Sequence, residues 1–424
     1  MDLVGAGSVP GVAAPVERLR RTVLDSGAVV CSDTVEHSRS VAVSIWVGVG
    51  ARDEPDELQG VSHFLEHLLF KGTDDASAVE IARAVDQVGG ELNAYTSSEH
   101  TVFHVRVPAT AIGLALEVLT GVVRDASLRA DDLENERQVI LEELAVAEDD
   151  PEDVVGVRLF ETILAGHPLG REVLGTSETI AALGRDQVAA FRDRWYRPAD
   201  LVIAAAGRVD HDALVAHVER VWRAGEGDPG TRPVRSAPGP VVDARVEESR
   251  PGDVAHLARA WRTCSALDGD RTAVAVLDHL LGGGPSSRLF QVVREERALT
   301  YSIGSALSLY SDAGVLSVQC STGVGRLDEL SGAVDEVVQD LVDNGVSEED
   351  VDRACRSLWA ATVLGLEDVG ARSGRLGAAE LLHGGPTPIT EFRDRLARVD
   401  AERVSAMAAR VLGGPSVTSV VLPE

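Results

Sequence analysis

The chain is short of basic residues, aromatics and cysteine. Its 40 Lys and Arg stand against 68 Asp and Glu, a formal net charge of -28. That balance excludes the electrostatic footprint of a nucleic-acid binder and of a protein that docks on an anionic membrane. The four cysteines, Cys31, Cys264, Cys320 and Cys355, are scattered, and no CxxC pair occurs. A disulfide framework and a thiolate zinc site are therefore both excluded, which leaves the cysteines as small apolar side chains. No apolar run approaches the roughly 18 residues that a membrane-spanning helix needs. The opening stretch, MDLVGAGSVPGVAAPVERLR, lacks the basic start and continuous apolar segment of a secretory signal. A cytoplasmic protein is the expectation. A phosphate-cradling loop is missing too: LLGGGPSSRLF is followed by no GK[ST], and WVGVGARDE holds a lone G-x-G.

What is present is a globular composition, 44% hydrophobic and 25% charged, in 424 residues, enough for two or three domains. The first half opens with valine-rich, glycine-broken strand patterns, RTVLDSGAVVCSD and SVAVSIWVGVGA. Helical patterns, the strand pair GELNAYTS and HTVFHVRV, a helix near 111–124 and a long one near 131–164 follow. The segment RAGEGDPGTRPVRSAPGP near the midpoint is dense in Gly, Pro and Arg, which is linker chemistry. After it the order restarts, with strand HLARAWRT, helices DRTAVAVLDHLLGG and SRLFQVVREERA, then strands TYSIGSALSLY and GVLSVQCST. Both halves close on a helix, a turn and an apolar strand: DQVAAFRDRWYRPADLVIAAAG and ERVSAMAARVLGGPSVTSVVLP. The reading is α+β, with two homologous domains, each a mostly antiparallel sheet with helices packed on one face. Their expected limits are 1–225 and 241–424, joined by a linker over 226–240.

One stretch stands out chemically. Residues 61–73, VSHFLEHLLFKGT, put two histidines and a glutamate within five positions of an apolar run. Burying such groups without partners costs several kcal/mol. On a helix, at ~100° per residue, His63 and His67 lie about 40° apart on one face, so both imidazoles can reach one ion. Glu66 sits close by, where it can take a proton from a water at that ion. A pair of satisfied core histidines is the plain alternative. Zinc also wants a third protein ligand, with a fourth position left open. The later stretch ENERQVILEELA offers Glu136 and Glu143 on one face, seven residues apart, with Glu142 pointing elsewhere as second choice.

HFLEH followed far downstream by ENERQVILEE resembles the inverted-zincin (HxxEH) metallopeptidases. That family includes the mitochondrial processing peptidases, pitrilysin and the insulin-degrading enzyme. The likeness runs through GVGARDE, GGELNAYTSSEHT and LGGGPSSRLFQVVREERALTYSI, and is nearest to the bacterial two-domain branch. It implies one Zn2+ per chain on His63, His67 and Glu143, with Glu66 as general base and Glu136 orienting a ligand. It assigns Asn93, Ala94 and Thr96 to an edge strand that pairs with extended substrate. His100 and His104, on the next strand, are expected to be structural. In the second half, which has no HxxEH, Arg294 and Tyr301 are implied as contacts of substrate and of the tetrahedral intermediate. The implied activity is zinc-dependent endopeptidase cleavage of peptides or unfolded polypeptide by a homodimer, or by a heterodimer with a related chain. The acidic run from Glu148 to Asp153 suggests a preference for basic residues near the scissile bond. A non-catalytic peptide-binding or scaffold subunit is the alternative, and the intact set of four site residues speaks against it.

Overall fold

The computed structural model describes residues 13–222 and 232–424. Its strands are β1 Leu19–Val23, β2 Val29–Thr34, β3 Ser40–Val47, β4 Glu91–Thr96, β5 Thr101–Pro108, β6 Leu201–Gly207, β7 Ala244–Arg250, β8 Ala255–Thr263, β9 Ile303–Leu309, β10 Gly314–Thr322 and β11 Ser416–Pro423. They form two sheets, ordered β1-β2-β6-β3-β5-β4 and β7-β11-β8-β10-β9. Apart from β1, the second sheet repeats the first. Each has one parallel pair, β2 with β6 and β7 with β11, and its other pairs are antiparallel. The α+β reading with two sheet-plus-helix domains holds.

Period-two alternation along the strands decides which face meets which helices. In β3, Val41, Val43, Ile45 and Val47 join a core built with helices Val61–Leu69, Ile112–Asp125 and Arg185–Trp195. Trp46 points the other way, into a small cluster with Cys31, Val102, Val202, Ala204 and Leu376. Leu376 belongs to helix Val369–His383, which comes from the second half of the chain. The second sheet receives the reciprocal helix. Pro151–Ile163 lays Val154, Val155, Leu159 and Ile163 on Ala258, Ala260, Val315 and Val417. Each sheet is thus covered on its second face by a helix lent from the opposite half. Small residues make the approach close: a Cβ at Gly377 would stand 2.1 Å from Trp46 Nε1.

The single long helix expected near 131–164 is two helices, Ala130–Asp149 and Pro151–Ile163. Proline at 151 pushes the preceding residue out of the helical region, and Asp150 sits at φ -88, ψ 111. Its carboxylate then caps the new helix by accepting from the Glu152 amide. This break carries the chain from one domain onto the other sheet. Of the expected linker, residues 226–231 lie outside the described residues, and 232–240 carry no regular structure. Arg235 in that segment is anchored on the first domain by a bidentate pair with Asp53 at 2.7 and 3.0 Å.

Candidate metal centre

Helix Val61–Leu69 carries the two histidines, and it begins on an unusual cap. Gly60 takes a left-handed conformation, φ 88. The Gly60 and Ser62 amides both donate to the Glu54 carboxylate at 2.7 Å. Glu54 is 5% exposed, and burial pushes its pKa up to about 7 against those bonds and Arg171. The helix buries Phe64, Leu65, Leu68 and Leu69 in the first core. That leaves His63 and His67 half-buried on its other side, facing helix Ala130–Asp149. Sequence reasoning missed Glu54; its signal is the second acid of GARDE, a few residues before the helix.

Three ligand atoms converge there. His63 Nε2 and His67 Nε2 lie 3.9 and 3.8 Å from the same atom, Glu143 Oε2. Such gaps are too long for hydrogen bonds. They slightly exceed the ~3.3 Å edge of a tetrahedron built on bonds of about 2.05 Å. Among the described residues this is the one group of three His, Cys, Asp or Glu side chains so gathered, its ligand atoms within 4.8 Å of one another. Burial, helped by neighbouring His67, pushes the His63 pKa down to about 4 and so favours the neutral imidazole that ligates metals. His67 Nδ1 lies 3.1 Å from Glu136 Oε2, which leaves Nε2 turned toward Glu143. Glu136 is itself buried, and Lys71 Nζ compensates it at 2.6 Å. Lys71 was not anticipated. Glu142 is solvent-exposed. Two imidazoles and one carboxylate around an open side are a donor set that fits zinc.

Glu66 is 9% exposed and accepts a hydrogen bond from Thr96 Oγ1 at 2.5 Å. Burial raises its pKa, with Thr96 and His67 pulling the other way. Thr96 ends β4, which forms the open edge of the first sheet. Asn93 is exposed there, and its side chain accepts from the Ala94 amide at 2.9 Å. Ala94 packs on the first core. His100 lies against Trp46, ring centroids 5.0 Å apart, and His104 against Tyr95 at 6.3 Å; neither belongs to the metal group. Arg294 and Tyr301 come together in the second domain, the guanidinium 5.2 Å from the ring centre. Tyr301 is 86% exposed. Arg294 sits in a π-helical turn, Phe290–Glu296, where an ordinary helix was expected.

Family models match both halves of the chain. Residues 29–177 fit the insulinase domain of peptidase family M16, and 182–358 fit the domain described as the M16 inactive domain. The chain belongs to peptidase family M16. It is 40% identical to an uncharacterized zinc protease of Mycobacterium tuberculosis over 417 residues, covering 96% of this chain and 93% of that one. A Bacillus subtilis relative with the same description, YmxG, is 31% identical over 406 residues, covering 96% and 98%. The fold is shared with a Helicobacter pylori protease, TM-score 0.91 at 20% identity, covering 96% of this chain and all of the other. A Pseudomonas fluorescens structure described as an M16 inactive domain gives 0.89 at 20% identity, covering 96% and 98%. The relatives' names support a peptidase role and imply zinc for this M16 chain. The missing HxxEH in its second half agrees with the description of that domain. Among the described residues, no helix is long and apolar enough to cross a membrane.

Proposed function

We propose that the protein is a zinc-dependent endopeptidase acting on peptides or unfolded segments. The observation that carries this reading is the convergence of His63, His67 and Glu143 beside the buried carboxylate of Glu66. His63, His67 and Glu143 would hold one zinc ion per chain. Zinc, when bound, supplies a Lewis acid that polarises the scissile carbonyl and acidifies the attacking water. Glu66 accepts that water's proton and later delivers it to the leaving amine. Glu136 keeps His67 in the ligating tautomer. An extended substrate pairs with the free edge of β4 along Asn93, Ala94 and Thr96, which is main-chain recognition and tolerant of sequence. Arg294 and Tyr301 serve as donors to the developing oxyanion, from the same chain or from a partner's second domain. A homodimer in the cytoplasm is the working assembly on this reading, with a related chain as the alternative partner.

The test is mass spectrometry of a peptide mixture after incubation with wild type and Glu66→Gln, with and without chelator. Cleavage should need both the metal and Glu66, and Glu66→Gln should keep its zinc while losing a factor of about 10²–10⁴ in rate. Cleavage that survives Glu66→Gln would defeat the proposal. Full activity of a monomer at high dilution would remove the dimer from it.

A further inference from the structure

The turns of two equivalent hairpins meet between the domains. The β4–β5 turn, residues 97–100, and the β9–β10 turn, residues 310–313, occupy corresponding places in the repeated sheet order. Glu99 of the first turn accepts from the Ser311 amide at 2.9 Å and the Ser311 hydroxyl at 2.6 Å. Arg52, whose side chain is 2% exposed, donates to Glu99 at 2.6 Å and to both oxygens of Asp312 at 2.8 and 3.0 Å. The first turn is also held by its own domain: the Ala51 and Arg52 amides donate to the Ser97 and Ser98 carbonyls at 3.1 and 2.9 Å. The linker joins in as well, with Arg235 Nη2 donating to the Glu99 carbonyl at 2.7 Å.

Three residues before Glu99, Thr96 directs its hydroxyl at Glu66. A buried carboxylate has few ways to hold one rotamer, and among the described residues this bond is the one hydrogen bond to Glu66's side chain. Resting on the peptidase reading above, we propose that the Arg52–Glu99–Asp312 clamp is a positioning device for Glu66. It fixes the β4–β5 turn against the second domain, and Thr96 transmits that position to the base. Thr96 is then a positioning residue for the base as well as part of the substrate edge. The second domain, which carries no metal motif, contributes to the chemistry through two turn residues, Ser311 and Asp312. A clamp that only joined the domains would affect stability and leave the geometry of Glu66 alone.

The test uses the full chain with Thr96→Val, Thr96→Ser, Asp312→Asn and the double variant Thr96→Val with Asp312→Asn. Ser311→Ala is the milder probe should Asp312→Asn fold poorly. Metal content, kcat and KM on a quenched fluorescent peptide, and the visible absorption of the cobalt(II)-loaded protein are measured. Thr96→Val should lower kcat between about tenfold and a hundredfold, the scale of a displaced catalytic group, with metal content unchanged. Thr96→Ser should restore it. Asp312→Asn should lower kcat severalfold in the otherwise wild-type chain and not at all in the chain that already carries Thr96→Val. The cobalt bands should shift alike in Thr96→Val and Asp312→Asn. An equal loss from Asp312→Asn in both backgrounds would overturn the proposal, as would wild-type kcat and spectrum in Thr96→Val. If the wild type cleaves no peptide, the peptidase reading fails, and the cobalt spectra alone decide whether clamp and base are linked.

Discussion

Glu54→Gln probes the cap that starts the histidine helix. Both oxygens of Glu54 accept backbone amides, from Gly60 and Ser62, at 2.7 Å. An amide side chain keeps one accepting oxygen and turns an NH2 toward the other donor. One buried N–H then goes unsatisfied, at about 1–3 kcal/mol. That loss should appear in full near pH 4, where Glu54 is protonated in the folded and largely in the unfolded chain and its two oxygens can still accept. Ionisation changes the comparison. The folded pKa is raised to about 7 from an ordinary 4.5. Between those values the folded state holds a proton that the unfolded state has released, so wild-type stability falls as pH rises through the window. The full loss is about 3 kcal/mol, complete above pH ~7. The glutamine variant has no such dependence, so the gap between the two proteins should close as pH rises and vanish or change sign by pH 8. The assay is thermal unfolding of metal-stripped wild type and variant at both pH values, so that metal release does not enter. At ~2–4 °C per kcal/mol for a domain of this size, the wild type should melt about 2–12 °C above the variant near pH 4 and no higher than the variant near pH 8. A gap that widens as pH rises would refute the reasoning, because the amide bonds would then outweigh burial at Glu54.

Glu136→Ala should weaken zinc binding by about 10–100-fold, since His67 loses the acceptor that fixes its tautomer; competition with a chelating dye measures it. Gly377→Ala should cost about 1–3 kcal/mol by overpacking against Trp46, seen as a lower unfolding midpoint and a shifted tryptophan emission.

The expectations that held rest on local chemistry. His63 and His67 share a helix face because 3.6 residues make a turn, whatever the rest of the chain does. Alternation in SVAVSIWV is enough to make a strand with two different faces, and β3 has them. Pro151 was there to be read, and it breaks the helix expected over 131–164; apolar periodicity on both sides concealed it. Glu54 and Lys71 were not readable as partners of the site. Each is one acid or base among 68 and 40, and only contact distinguishes it.

The chain's own order of residues thus determined the two domains and the His-x-x-Glu-His helix with its distal glutamate, because periodicity and motif spacing act over a few turns. Tertiary structure decided that Glu54 caps the histidine helix, that Lys71 pairs with Glu136, and that each domain lends the other a helix. It also decided that hairpin turns more than two hundred residues apart meet at a buried arginine. Those outcomes depend on long-range packing of side chains with many equivalent competitors, and no local pattern selects among them.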